Sequence, residues 1–252
     1  MDIIEELIRE KPHLADPLRF YEKVVGFTET VKEFTTTAGP ALTAYSPHIV
    51  DRVVNIFSQA LELPEGTLSP LKQALELGEI DFTRLPLREV PAFSLPYAEE
   101  DLTMILFLVS RPFFLGLGEA CNLDGKLWEE GKCPVCYAQP SLSSSAQDGR
   151  MQLYCSFCGT IGLVSQVQCP LCLNQDLAQL NSYTFTGEEG FSVQTCDVCK
   201  SYVKNVEPEL LSRFGPDLAD LISLPLDMVI QQKGYVRRSP NPIGMIDMSG
   251  RG

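Results

Sequence analysis

The stretch CPVCYAQPSLSSSAQDGRMQLYCSFC, residues 133–158, decides how this chain is read. It holds two Cys-x-x-Cys pairs, Cys133/Cys136 and Cys155/Cys158, with 18 residues between them. Ten residues later the pattern returns as Cys169/Cys172 and Cys196/Cys199, with 23 residues between the pairs. A Cys-x-x-Cys turn sets two sulfurs on one side of an ion. A hairpin that brings two such turns together completes a tetrahedral shell. Histidine is absent from residues 126–206, so each shell is all-cysteine and closed, with no position left for water or substrate. Ribbons this small build little core of their own, and a bound ion supplies their folding free energy, about 10–16 kcal/mol for zinc at neutral pH.

The expectation is two metal ions, zinc with iron the alternative, one within each repeat. Cys133, Cys136, Cys155 and Cys158 form the first site; Cys169, Cys172, Cys196 and Cys199 form the second. The rival is an interleaved arrangement in which the first and third pairs share an ion. A thioredoxin-like redox pair would have to open a helix after a strand, and CPVCYAQPSLSSS is poor material for that. Cys121 has no partner in sequence and reads as a buried or linker thiol.

The repeat extends beyond the cysteines. Gly149 precedes Cys155 by six positions and Gly190 precedes Cys196 by six. Asp148-Gly149 and the Gly187–Gly190 stretch are hairpin signals. Met151 and Leu153 alternate with polar neighbours, as do Tyr183 and Phe185, and Phe191 and Val193. The apolar phase of the strand before the second pair shifts by one residue between the copies.

Working outward, residues 1–125 read as a helical domain. Asp16-Pro17, Ser46-Pro47 and Ser69-Pro70 each place a capping side chain before a proline suited to a first helical position. Leu18, Tyr21, Val24, Val25, Val31 and Phe34 make one helix stripe, and Ile49, Val50, Val53, Val54, Phe57, Ala60 and Leu61 another. Gly78 suits a helix stop. RLPLREVPAFSLPYAEED, residues 84–101, reads as an extended connector. LTMILFLVSRPFFLGLG, residues 102–118, reads as a buried helix, since Arg111 and Pro112 interrupt a run already short for a membrane span. Residues 126–165 and 166–206 are the two ribbons. Residues 207–252 are a C-terminal helix and tail, with Pro216 at a first turn, Pro225 splitting the helix and Gly234 ending it. The fold class is α+β.

Charge narrows the partners. The chain of 252 residues has a formal net charge of −13, and residues 1–125 carry 20 acidic against 10 basic side chains. That balance disfavours nucleic acid and anionic membranes, which reward Lys and Arg. The acidic start MDIIEELIREKPHLADP is not a signal peptide. A cytoplasmic setting is therefore expected, where thiols stay reduced and serve metals more readily than disulfides. His13 and His48 lie among the helices and read as ordinary helix residues. Neither a phosphate loop nor a nucleophile–base set stands out, and the expectation is a non-enzyme.

KLWEEGKCPVC, LYCSFCGT, VQCPLC, TCDVCKSYVKNVE and DLADLISLPLDMVIQQKGYVRRSPNPIG occur in an order that resembles the formate dehydrogenase accessory protein (FdhE) family, over about residues 126–245. The CDxC-x-x-Y-x-K piece and the closing GYxRR-x-x-NP carry the likeness. The resemblance implies a helical domain joined to two rubredoxin-like ribbons. It implies a cytoplasmic maturation factor for the catalytic subunit of formate dehydrogenase. Two departures are visible. Family knuckles commonly follow the second cysteine with glycine; here Tyr137, Leu173 and Lys200 stand there, and only Cys158 is followed by Gly159. An aromatic usual after the second pair is replaced near Ile161-Gly162.

The competing readings are a redox or metal-delivery protein and a nucleic-acid-binding zinc ribbon. The tail GYVRRSPNPIG also has two readings. Tyr235, Arg237, Arg238 and Asn241 have the composition of an interface anchor. Alternatively the tail folds back and pins the terminal helix, with Arg238 paired to an acid of the helical domain.

Overall fold

The computed structural model describes residues 3–37, 47–80, 95–121, 123, 125–128, 130–146, 148–164 and 167–248. These form two compact units, Met1–Gly116 and Leu117–Gly252.

The first unit is helical: α1 Ile3–Glu10, α2 Ala15–Thr37, α3 Pro47–Ala60, α4 Ser69–Glu76 and most of α5 Glu99–Cys121. The stripes anticipated from periodicity supply its core. Leu18, Val24 and Val31 of α2 are buried, as are Val50, Val53, Val54 and Phe57 of α3. Phe27, outside the anticipated stripe, packs its ring edge-on to Phe57 with centroids 5.1 Å apart. The expected caps fall differently. Asp16 sits inside the first turn of α2, and Ser69 is itself the first residue of α4 because its N–H is already bonded to the Gly66 carbonyl. Ser46 and residues 84–94 of the expected connector lie outside the described residues, and its last three, Glu99–Asp101, are not extended but open α5. α5 is long and apolar enough to cross a membrane by length and composition, yet Leu102, Ile105–Val109 and Phe114 are buried within the protein.

The second unit is built on one seven-stranded sheet, in the order β1-β4-β3-β2-β7-β6-β5. The strands are β1 Lys126–Leu127, β2 Leu142–Ser145, β3 Met151–Tyr154, β4 Ile161–Val164, β5 Leu180–Thr184, β6 Phe191–Cys196 and β7 Ser201–Val206. Each repeat is an antiparallel three-stranded ribbon: β2-β3-β4, then β5-β6-β7. The hairpin signals are where the strands turn, with Gly149 at φ 81° and Gly187 and Gly190 at 86° and 82°. β2 and β7 then pair in parallel, Leu142–Ser144 against Lys204–Val206, and fuse the ribbons edge to edge. β1 lies parallel on β4 at the far edge.

The one-residue phase shift between the repeats has a structural reason. Side chains alternate across a strand, and Leu153 shares its face with Cys155, whereas Phe191 and Val193 lie opposite to Cys196. In the second ribbon that opposite face is covered by α6 Pro208–Ile222, which packs on β2 and β7.

α6 breaks at Gly215 (φ 72°, ψ 168°), and Pro216 opens its second part. Pro225 stands in the first turn of α7 Leu224–Gln232, separated from α6 by Ser223, and Gly234 follows α7 at φ 91°.

Candidate metal centres

The eight cysteines of the pairs come together as two groups of four, each within one repeat: Cys133, Cys136, Cys155 and Cys158, and Cys169, Cys172, Cys196 and Cys199. Within each group the sulfurs lie within 4.8 Å of one another. Among the described residues the interleaved set does not gather. Cys133 and Cys158 are 3.4 Å apart, as are Cys136 and Cys155. In the second group, Cys169–Cys199 is 3.8 Å and Cys172–Cys196 is 3.7 Å. A disulfide would need about 2.05 Å. A tetrahedron with metal–sulfur bonds near 2.3 Å has sulfur–sulfur edges of roughly 3.8 Å, so the donor sets fit a four-coordinate thiophilic ion such as zinc or iron.

The knuckles are made by the backbone. Tyr137 N–H bonds to the Cys133 carbonyl (2.9 Å), and Cys133 N–H to the Ala138 carbonyl (2.8 Å). Gly159 with Cys155 and Leu173 with Cys169 repeat the pattern at 3.0 Å. The residue closing each turn is left-handed: φ is 62° at Tyr137, 70° at Gly159, 62° at Leu173 and 51° at Lys200. Three non-glycine residues thus hold the conformation that glycine adopts freely. The missing aromatic near Ile161-Gly162 is supplied from elsewhere. Trp128 is buried against Gly162, and a Cβ there would overlap its indole.

Surroundings differ. The first group is buried throughout. The last turn of α5 reaches it at Gly118, where a Cβ would collide with the Cys158 carbonyl. On another side the Ser156 hydroxyl is 2.9 Å from that of Ser239 in the tail. Burial pushes the Cys155 thiol well above its ordinary range, and a bound dication is what would reverse that and hold the thiolates. In the second group Cys172 is exposed and Cys199 half-buried. Cys121 joins neither group and is exposed.

A buried ionic cluster behind the second ribbon was not anticipated. Lys204 is fully buried on β7 and bonds to the Asp220 carbonyl (2.7 Å), the Asp220 carboxylate (2.7 Å) and Asp227 (2.5 Å). Arg237 bonds to Asp220 (2.5 Å) and Asp227 (3.1 Å), and the Tyr202 hydroxyl donates to Asp227 (2.6 Å). Two cations balance two anions. Burial alone would raise the Asp220 carboxyl, but Arg237 and Lys204 outweigh it and hold it below its usual range.

The tail therefore folds back. Tyr235 is buried and donates to Asp197 (2.9 Å), Arg237 is buried in the cluster, and Asn241 is fully buried. Exposed Arg238 bonds to the Ser201 hydroxyl (2.7 Å) and the Cys199 carbonyl (3.2 Å), and it is Arg237 that pairs with acids, those of the C-terminal helices. The sequence signal for the cluster was on view: Tyr202 and Lys204 of the CDxC-x-x-Y-x-K piece and Arg237 of the closing one are its members.

Comparison with known proteins agrees with this architecture. The family description "FdhE, C-terminal domain" matches residues 167–243. "Protein FdhE homolog" of Aquifex aeolicus (strain VF5) is 28% identical over 144 residues, 55% of this chain and 51% of that protein. "Protein FdhE" of Escherichia coli (strain K12) is 34% identical over 115 residues, 44% of this chain and 36% of that protein. The matches thus span about half the length of these relatives, or less. The crystal structure of the FdhE protein from Pseudomonas aeruginosa has the same fold, with a TM-score of 0.55 at 19% identity over 95% of this chain and 92% of that one. Residues 167–243 thus match the FdhE C-terminal domain, and the chain shares the fold of an FdhE protein over nearly its whole length.

Proposed function

We propose that this chain is a cytoplasmic accessory protein, without catalytic activity of its own, that binds the catalytic subunit of formate dehydrogenase during its assembly. The two cysteine groups hold structural ions in this reading: Cys133, Cys136, Cys155 and Cys158 one, Cys169, Cys172, Cys196 and Cys199 the other, with zinc preferred over iron. The observation that carries it is closure. Each group offers four sulfurs from the protein itself, which fills a tetrahedron and leaves no coordination position for a reacting molecule. What remains for such a platform to offer is surface. The names of the relatives point to formate dehydrogenase as the enzyme served.

The test is co-purification with a tagged formate dehydrogenase catalytic subunit in a cell that makes one. Recovery of the subunit supports the reading; a well-folded, metal-loaded protein that captures none overturns it. A redox or metal-delivery role is the second reading, favoured by the exposure of Cys172. The absorption spectrum of freshly purified protein separates the two: ferric thiolate is red, zinc colourless.

A further inference from the structure

The two cysteine groups differ in what stands beside their last sulfur. In each ribbon the residue two places after the final cysteine carries a hydroxyl: Thr160 after Cys158, and Ser201 after Cys199. The backbone holds the two alike. The Cys155 N–H donates to the Thr160 carbonyl (3.2 Å), and Ser201 pairs with Cys196 across β6 and β7. Both residues are buried, at 3% and 1% exposure.

Their hydroxyls go to different partners. The Thr160 hydroxyl lies 3.1 Å from Cys158 Sγ. A thiolate has no proton to give, so with an ion bound the hydroxyl donates and the sulfur accepts. The Ser201 hydroxyl instead donates to the Cys199 carbonyl (3.1 Å) and accepts from Arg238 Nε (2.7 Å). The Arg238 guanidinium also donates to that carbonyl (3.2 Å), which fixes the arrangement. A hydrogen bond to an ionised acceptor is a strong one, and in a buried site water does not compete for it. The need also differs between the groups. All four sulfurs of the first group are buried away from water, whereas exposed Cys172 of the second can take its hydrogen bonds from solvent.

We infer that Thr160 is a positioning residue of the first metal centre: its hydroxyl orients Cys158 and draws charge off that thiolate, while Arg238 withholds Ser201 from the same role at the second. Groups that hydrogen-bond a ligand atom set its orientation and its donor strength toward the metal. Four thiolates around one dication carry excess negative charge, and a donor inside the buried shell relieves it without water. The two centres therefore share one ligand set and differ electronically. This role presupposes the metal sites proposed above and is independent of any client enzyme.

The test uses the full chain loaded with Co²⁺, whose sulfur-to-metal charge-transfer band reports the charge on the thiolates, and then Zn²⁺ in competition with a chelator. Removing a hydrogen bond leaves the sulfur richer in electrons. Thr160→Val should therefore move the part of the band that belongs to one ion to longer wavelength, and lower the zinc affinity of one site about tenfold. Thr160→Ser keeps the hydroxyl and should keep both the band and the affinity of the parent. Ser201→Ala should leave the band where it is. Three results overturn the inference: a parental band and affinity in the Thr160→Val protein, a Thr160→Ser protein that shifts as Thr160→Val does, or a Ser201→Ala protein that shifts by as much. A parent chain that takes up no cobalt would sink the metal reading itself, and this role with it.

Discussion

The first cysteine group is buried at all four positions, whereas the second leaves Cys172 exposed and Cys199 half-buried. Strand count and the left-handed residue closing each knuckle are the same in both. The tail touches both, through Ser239 at the first and Arg238 at the second; what differs is that Gly118 also closes on the first, whereas the second sits at the end of the sheet beside a cavity. A duplicated ribbon can thus keep one geometry while its copies take different places, one buried within the unit and the other at its margin.

The largest effect should come from removing a ligand at the buried site. Cys155→Ala leaves three sulfurs around the first ion and forfeits much of a binding free energy of about 10–16 kcal/mol. The loss spreads, since β2 of that ribbon carries β7 of the other. Metal analysis should show the first ion missing, and limited proteolysis should cut between residues 133 and 164. Cys172→Ala at the exposed site should lose the second ion only, with the first ribbon still protected. Equal proteolysis of the two variants would remove the distinction between the sites.

The ionic cluster gives the next effect. Arg237→Ala leaves Asp220 and Asp227 with one buried cation between them, and breaking a buried pair from one side costs about 3–5 kcal/mol. Denaturant titration should register that loss while both ions stay bound, because the cluster lies on the face opposite to the cysteines of the second ribbon. Arg238→Ala, losing hydrogen bonds at the surface, should change stability by less than about 1 kcal/mol.

Exchange of the ions should separate the sites kinetically. A chromophoric chelator reaches an exposed sulfur without unfolding the ribbon, whereas the buried group must open first. Release should be biphasic, with equal amplitudes and rates at least tenfold apart. In Cys172→Ala protein the fast phase should vanish. A single phase for the parent protein would mean that burial does not control access.

The ribbons and their cysteine groups were legible because cysteine spacing and turn residues are local signals. Gly149, Gly190 and four Cys-x-x-Cys pairs lie within one stretch of chain. The helical stripes were legible for the same reason, although Phe27 was missed and the caps at Asp16 and Ser69 were not used as expected. The parallel seam between β2 and β7 was not legible, since residues 142–144 and 204–206 lie some sixty positions apart and nothing in either strand names the other. The cluster was half legible. Tyr202, Lys204 and Arg237 stood in the pieces that carry the family likeness, yet a charged residue in sequence reads as surface until its partners are seen. Asp220 and Asp227, on helices packed behind the sheet, are those partners.

The smallest prediction returns to the knuckles. Tyr137 and Leu173 stand at φ 62° and Lys200 at 51°, where Gly159, the one glycine of the four, stands at 70°. A left-handed backbone costs a non-glycine residue about 1–2 kcal/mol. Glycine removes that strain but adds freedom to the unfolded chain, which takes back about 0.4–1 kcal/mol. Tyr137 is 48% exposed, so truncating it forfeits little packing. Tyr137→Gly should therefore stabilise the first ribbon by a few tenths to about 1 kcal/mol, seen as a small rise in denaturation midpoint. Gly159→Ala should move the midpoint the other way by a comparable amount, as it imposes the strain that Tyr137 already carries. The pair also tests what glycine contributes at the metal. Each substitution keeps all four sulfurs, so metal content should stay at two ions per chain in both. A loss of the first ion from the Gly159→Ala protein would show that the left-handed turn is needed to aim the sulfurs and not merely to close the backbone.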